Sequence, residues 1–126
     1  MAQDAPQAGP ALTLSVRKSI LGAKVIDTNR HDVGKIEDIV LDPADGRAIY
    51  AIVSLGGFLS PGNDHFPVPW EAFSFDLSEK VAVLNVEKER FESAPRFHRE
   101  KWPNMSDASW RDQLHRHYGS VPRHKK

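Results

Sequence analysis

The stretch VGKIEDIVLDPADGRAIYAIVS, Val33 to Ser54, decides the fold class of this 126-residue chain. Its first half is ambiguous. Val33, Ile36 and Val40 are spaced for a helix, whereas Ile39 and Leu41 suit strand alternation. Its second half settles the reading. Asp42-Pro43-Ala44-Asp45-Gly46-Arg47 is a hairpin-type loop, and Ala48 to Ser54 is a β-rich run. That run is apolar on both faces, with Ile49, Ala51 and Val53 on one side and Tyr50 and Ile52 on the other. Two covered faces suit a central strand of a small barrel whose outer side carries a loop, a helix or a partner.

Working outward, Ser19-Ile20-Leu21-Gly22 reads as a short turn ended by glycine, and Lys24 to Asp27 as a strand. Thr28 to Asp32 is a polar break in which Asn29 is the residue suited to positive φ. On the other side, His65 to Trp70 forms a short strand containing Pro67 and Pro69. Proline cannot donate to a ladder, so this strand belongs at an edge or at a bulge. Phe73-Ser74-Phe75 alternates, Asp76 to Glu79 turns, and Lys80 to Val86 is a second two-faced strand. Glu87 to Glu92 makes one helical turn. Five or six short strands at this turn spacing predict an all-β fold, a small β-barrel, over residues 16–92. Residues 1–15, rich in Ala, Gln, Pro and Gly, read as a flexible leader.

Residues 93–126 form a C-terminal extension with one short helix at about 107–118. Ser106 is the expected N-cap, with Met105 and Trp110 placed as a hydrophobic staple. Trp110, Leu114 and Tyr118 recur at i, i+4 and i+8, Gly119 is a plausible C′ residue, and Pro122 stops the element. A helix this short is marginal alone, so its stripe must dock on something.

Composition narrows the functional classes. The formal charge is zero, with 17 Lys/Arg against 17 Asp/Glu. The balance is uneven along the chain: residues 96–126 carry eight Lys/Arg and three carboxylates, a net of +5, and the first 95 residues carry −5. The absence of cysteine removes disulfides, thiolate catalysis and cysteine metal sites, and fits a cytoplasmic protein. No signal-peptide pattern opens the chain, and no apolar run reaches the ~20 residues of a membrane-spanning helix.

Candidate chemistry is sparse. Gly57 and Gly62 imitate the spacing of a phosphate loop, but Asn63-Asp64 stands where Lys-Ser/Thr is required and Pro61 removes a backbone donor. Asp64, His65 and Glu71 could be drawn as an acid–base group, yet no nucleophile is marked beside them, and Ser54 and Ser60 lack an elbow context. Asp42 and Asp45 lack the spaced oxygen ligands of an EF-hand. His115 and His117 are two apart on a helix, so they diverge and cannot share a metal. No catalytic residue, cofactor or metal is expected.

Leu21-Gly22-x-x-Val25, Val33 to Asp42, Tyr50-Ala51-Ile52-Val53, Gly56-Gly57-Phe58-Leu59 and Val68-Pro69-Trp70 together resemble the PRC-barrel family. The family's glycine-containing turn before Val33-Gly34 is replaced here by Arg30-His31-Asp32. The stretch from Trp102-Pro103 through Trp110 to Tyr118-Gly119 looks like the extensions of small bacterial PRC-barrel proteins. The resemblance implies a compact barrel used as a non-enzymatic protein-interaction module, with relatives in the reaction-centre H subunit and a ribosome maturation factor. The expected surface comprises Phe58, Leu59, Trp70, Trp102, Trp110, Leu114 and Tyr118, and the expected partner is a second copy, a dimer being favoured, or another protein. The alternative is a nucleic-acid- or ribosome-associated accessory protein acting through the basic tail.

Overall fold

A computed structural model of the chain describes residues 14–55, 64–76 and 78–119. Its strands are β1 (Lys24–Ile26), β2 (Asp32–Asp42), β3 (Arg47–Leu55), β4 (Asp64–Pro69), β5 (Phe73–Asp76), β6 (Val81–Leu84) and β7 (Phe97–His98), with helices α1 (Lys88–Glu92) and α2 (Ala108–Tyr118). They form one seven-stranded sheet in the order β5-β6-β1-β2-β3-β4-β7. The count exceeds the five or six expected, because β7 has only two residues and no pattern to announce it. Among the described residues β5 and β7 end the ladder, so the sheet is an open order of strands rather than a ring closed by hydrogen bonds. The β1–β6 pairing is parallel, and the other five pairings are antiparallel.

The ambiguous Val33–Asp42 segment is a strand because it is paired along its length. β2 and β3 run together from Gly34↔Leu55 to Asp42↔Arg47, with register shifts at Ile36/Asp38 and Val40/Leu41 that bend the hairpin. The Asp-Gly loop closes as its residues require. Gly46 has φ 74° and its N–H donates to the Asp42 carbonyl at 2.7 Å. Gly34 serves a different need. A Cβ there would lie 1.9 Å from the Ser54 carbonyl oxygen, so a hydrogen side chain is what lets β2 approach β3.

β4 resolves the proline question. β7 covers only Asp64 and His65, so among the described residues no strand lies on the outer side of β4 from Phe66 to Pro69, and the two prolines stand in that stretch. The turn before Gly22 is a single π-type turn, Val16–Ile20, capped by the Ser15 side chain.

The two-faced character of β3 is also explained. Tyr50 to Ser54 are all buried. α1 lays Phe91 against Phe66, with ring centroids 4.5 Å apart, and α2 lays Trp110 edge-on to Tyr50 at 5.7 Å and His115 against it at 5.9 Å. Leu114 and Tyr118 lie in the same core cluster as Val25, Ile36, Val53, Phe66 and Leu84. The tail helix therefore docks on its own chain and completes its core.

Two local assignments are corrected. The N-cap of α2 is Asp107, whose Oδ1 accepts from Ser109 N at 2.9 Å and Trp110 N at 3.4 Å, in place of Ser106. A carboxylate beside the positive end of the helix is the stronger cap. The register moves by one residue, so Met105 and Trp110 no longer bracket the cap as a staple, though both pack against the core. The positive φ of the first turn belongs to Arg30, at 65°, in place of Asn29.

Candidate interaction surface

Asp27, the residue after β1, organises the turn that leads into β2. Its side chain is fully buried. Oδ1 accepts from the N–H groups of Asn29 at 2.9 Å and His31 at 2.8 Å. Oδ2 accepts from Lys88 N at 2.9 Å and from His31 Nδ1 at 3.2 Å. Four donors fill the acceptor capacity of the carboxylate. Burial pushes its pKa up, but the hydrogen bonds from His31, Lys88 and Asn29 outweigh that, and the net shift is downward. Asp27 thus holds Arg30 at positive φ, a conformation a non-glycine residue adopts at a cost, and caps α1 from a distant point in the chain. An aspartate at a strand end before a polar break was the available signal.

α1 in turn holds α2. Arg90 Nε donates to the His117 carbonyl at 2.7 Å, and His117 Nε2 donates to the Arg90 carbonyl at 2.6 Å. Asn85 Nδ2 donates to the Tyr118 carbonyl at 3.3 Å, so open carbonyls of the last helical turn find partners. Burial raises Tyr50 to about 12, with Arg111 drawing it down and Glu71 pushing it up, and raises Tyr118 further by desolvation alone.

The residues expected to form a contact surface separate into groups. Phe58 and Leu59, with the whole Gly57–Gly62 loop, lie outside the described residues. Leu114 and Tyr118 are 0% and 1% exposed, and their apolar area is already buried within the chain. Trp110 is half-buried against Tyr50, and Trp70 is half-buried on a 3₁₀ turn with its ring 5.3 Å from Phe75. Trp102 is different. It is 47% exposed, its indole N–H donates to the Arg99 carbonyl at 3.1 Å, and its ring lies 4.9 Å from Phe97. The indole is tied to its own segment by that hydrogen bond and to β7 by the ring contact, and it remains partly exposed.

The acid–base grouping is not assembled. His65 is the second residue of β4, whereas Glu71 lies past the other end of that strand, in the 3₁₀ turn Trp70–Ala72. The His65 ring packs against Phe97, and Asp64 is exposed. Ser54 donates its hydroxyl to Glu37 at 2.7 Å, not to an imidazole. Among the described residues no three His, Asp or Glu side chains gather as a metal site, and no helix is long and apolar enough to cross a membrane.

A family model described as PRC-barrel domain matches residues 17–91. The chain belongs to the PRC-barrel family. The match begins within the π-type turn and ends at Phe91 of α1, so β7, Trp102 and α2 lie beyond it. In this PRC-barrel protein the added segment does two things: α2 closes the core, and the link before it presents Trp102. No curated protein matches the chain.

Proposed function

We propose that this PRC-barrel protein is a non-enzymatic interaction module that associates with itself, acting in the cytoplasm. The observation that carries the reading is Trp102. A large aromatic side chain, fixed by a hydrogen bond and a ring contact while half of it stays in water, loses little freedom when a partner covers it. Phe58 and Leu59 are proposed to add apolar area from the β3–β4 loop, and Trp70 to contribute at its margin. Leu114 and Tyr118 support the surface from inside, by anchoring α2. The zero net charge favours association of like copies, since no overall repulsion opposes it.

The test is light scattering across a concentration series for the wild type and Trp102→Ala. Deleting residues 96–126 is unsuitable, because it would remove Leu114 and Tyr118 from the core. Mass that rises with concentration in the wild type and not in the variant supports the reading. A wild type that stays monomeric throughout ends it.

A further inference from the structure

Among the described residues, three buried side-chain polar atoms meet no hydrogen-bond partner: His65 Nδ1, Arg111 Nε and the Tyr118 hydroxyl. All three lie along one seam. Arg111 and Tyr118 belong to α2, and Tyr118 sits in the core cluster with Val53 and Phe66. His65 stands in β4 with its ring against Phe97 of β7. One side of the seam is the sheet that the family model matches, and the other is the segment beyond residue 91. A buried polar group without a partner raises the free energy of the closed form and is relieved when water reaches it.

The hydrogen bonds of the link between β7 and α2 are local. Glu100 N donates to His98 Nδ1 at 3.2 Å, and Lys101 N to the His98 carbonyl at 2.7 Å. The Trp102 indole reaches the Arg99 carbonyl, and Asp107 N the Asn104 carbonyl at 3.1 Å. The helix also closes its own ends, with Asp107 as its N-cap and Gly119 in the left-handed region, at φ 67°, as its C-cap. The ties from Arg90 and Asn85 gather on its last turn, at His117 and Tyr118, and Trp110 meets Tyr50 edge-on nearer its start.

We infer that α2 is a releasable strap: it lifts from β3 and β4 as a unit while the sheet stays folded, and the unmet polar atoms of the seam make that opening easier. Once lifted, 11 residues are too few for a stable helix alone, so the backbone amides of α2 open with it. The lifted form bares the Trp110–Leu114–Tyr118 stripe and the Tyr50 side of the sheet. Segments that move in this way come from the less stable end of a fold.

Native-state hydrogen exchange read by mass spectrometry tests this on the full chain, at a dilution where copies stay apart and across sub-denaturing urea. Amides of residues 112–118 are expected to exchange faster than those of residues 50–54, with a smaller urea dependence. Gly46→Ala stands at φ 74° with nothing within 4 Å of the added Cβ, so it weakens the β2–β3 hairpin without touching α2. It is expected to speed exchange at residues 50–54 by about tenfold and leave α2 unchanged. Tyr118→Phe keeps the ring and removes the unmet hydroxyl, and is expected to slow exchange of α2 by about tenfold. Three results would each overturn the strap: one rate and one urea dependence shared by both segments, a Gly46→Ala effect equal on both, or a Tyr118→Phe chain whose α2 exchanges no more slowly.

Discussion

Replacing Asp27 with Asn keeps the shape of the side chain and removes its charge. The amide oxygen can still accept from the Asn29 and His31 N–H groups, but the amide nitrogen then faces the Lys88 N–H, donor against donor. One buried backbone donor loses its partner, and two bonds to a charged acceptor become bonds to a neutral one. At about 1–3 kcal/mol for an unmet buried donor, with a smaller loss on the others, the expected destabilisation is about 2–3 kcal/mol. For a domain of this size that lowers Tm by roughly 8–12 °C.

The charge also fixes a pH signature. The folded-state pKa of Asp27 is depressed, so its contribution is fully present above the unfolded value of about 3.9 and is lost as pH falls through the folded value. Chemical denaturation of both proteins at pH 7 and in steps down to pH 2 reads this directly. The gap between wild type and Asp27→Asn should be widest at neutral pH and narrow below about pH 4. Equal stabilities at pH 7, or a gap that stays constant to pH 2, would refute the role assigned to Asp27.

Gly34→Ala places a methyl 1.9 Å from the Ser54 carbonyl oxygen, a backbone atom that cannot turn aside. The expected cost is above about 3 kcal/mol, read as loss of the cooperative melt or of soluble protein. Leu114→Ala should cost about 2–5 kcal/mol although it lies beyond the family match, and a cost below about 1 kcal/mol would show that α2 is not part of the core. The chain contains two tyrosines, Tyr50 and Tyr118, and both are raised by burial. Their contribution is present below the unfolded value of about 10 and is lost as pH rises through the folded values. Phenolate absorbance should therefore stay low at pH 11 while the protein is folded and appear with unfolding. A smooth native titration near pH 10 would contradict their burial.

The strands were legible where local chemistry decides them. The Asp42–Arg47 loop between two apolar runs yields the β2–β3 hairpin, and Pro67 and Pro69 already place part of β4 at an open side. What escaped depends on distant residues. The parallel β1–β6 pairing joins Lys24 to Val81, and β7 exists because Phe97 and His98 meet His65 and Asp64. No local pattern encodes either. The first turn shows the same limit. Asn29 has the higher intrinsic tolerance of positive φ, but the hydrogen bonds of Asp27 place that conformation at Arg30. The stripe Trp110–Leu114–Tyr118 announced a docking helix without naming its seat. Aromatic content likewise did not distinguish Trp102, left half in water, from Trp110, turned toward Tyr50.

Sedimentation velocity of wild type and Trp102→Ala, over about a hundredfold range of concentration at low salt, tests the central claim most directly. The account expects a wild-type sedimentation coefficient that climbs with concentration, and a variant that associates at least tenfold more weakly while melting at the same temperature. Indistinguishable curves for the two proteins, or a monomeric wild type at every concentration, would contradict it.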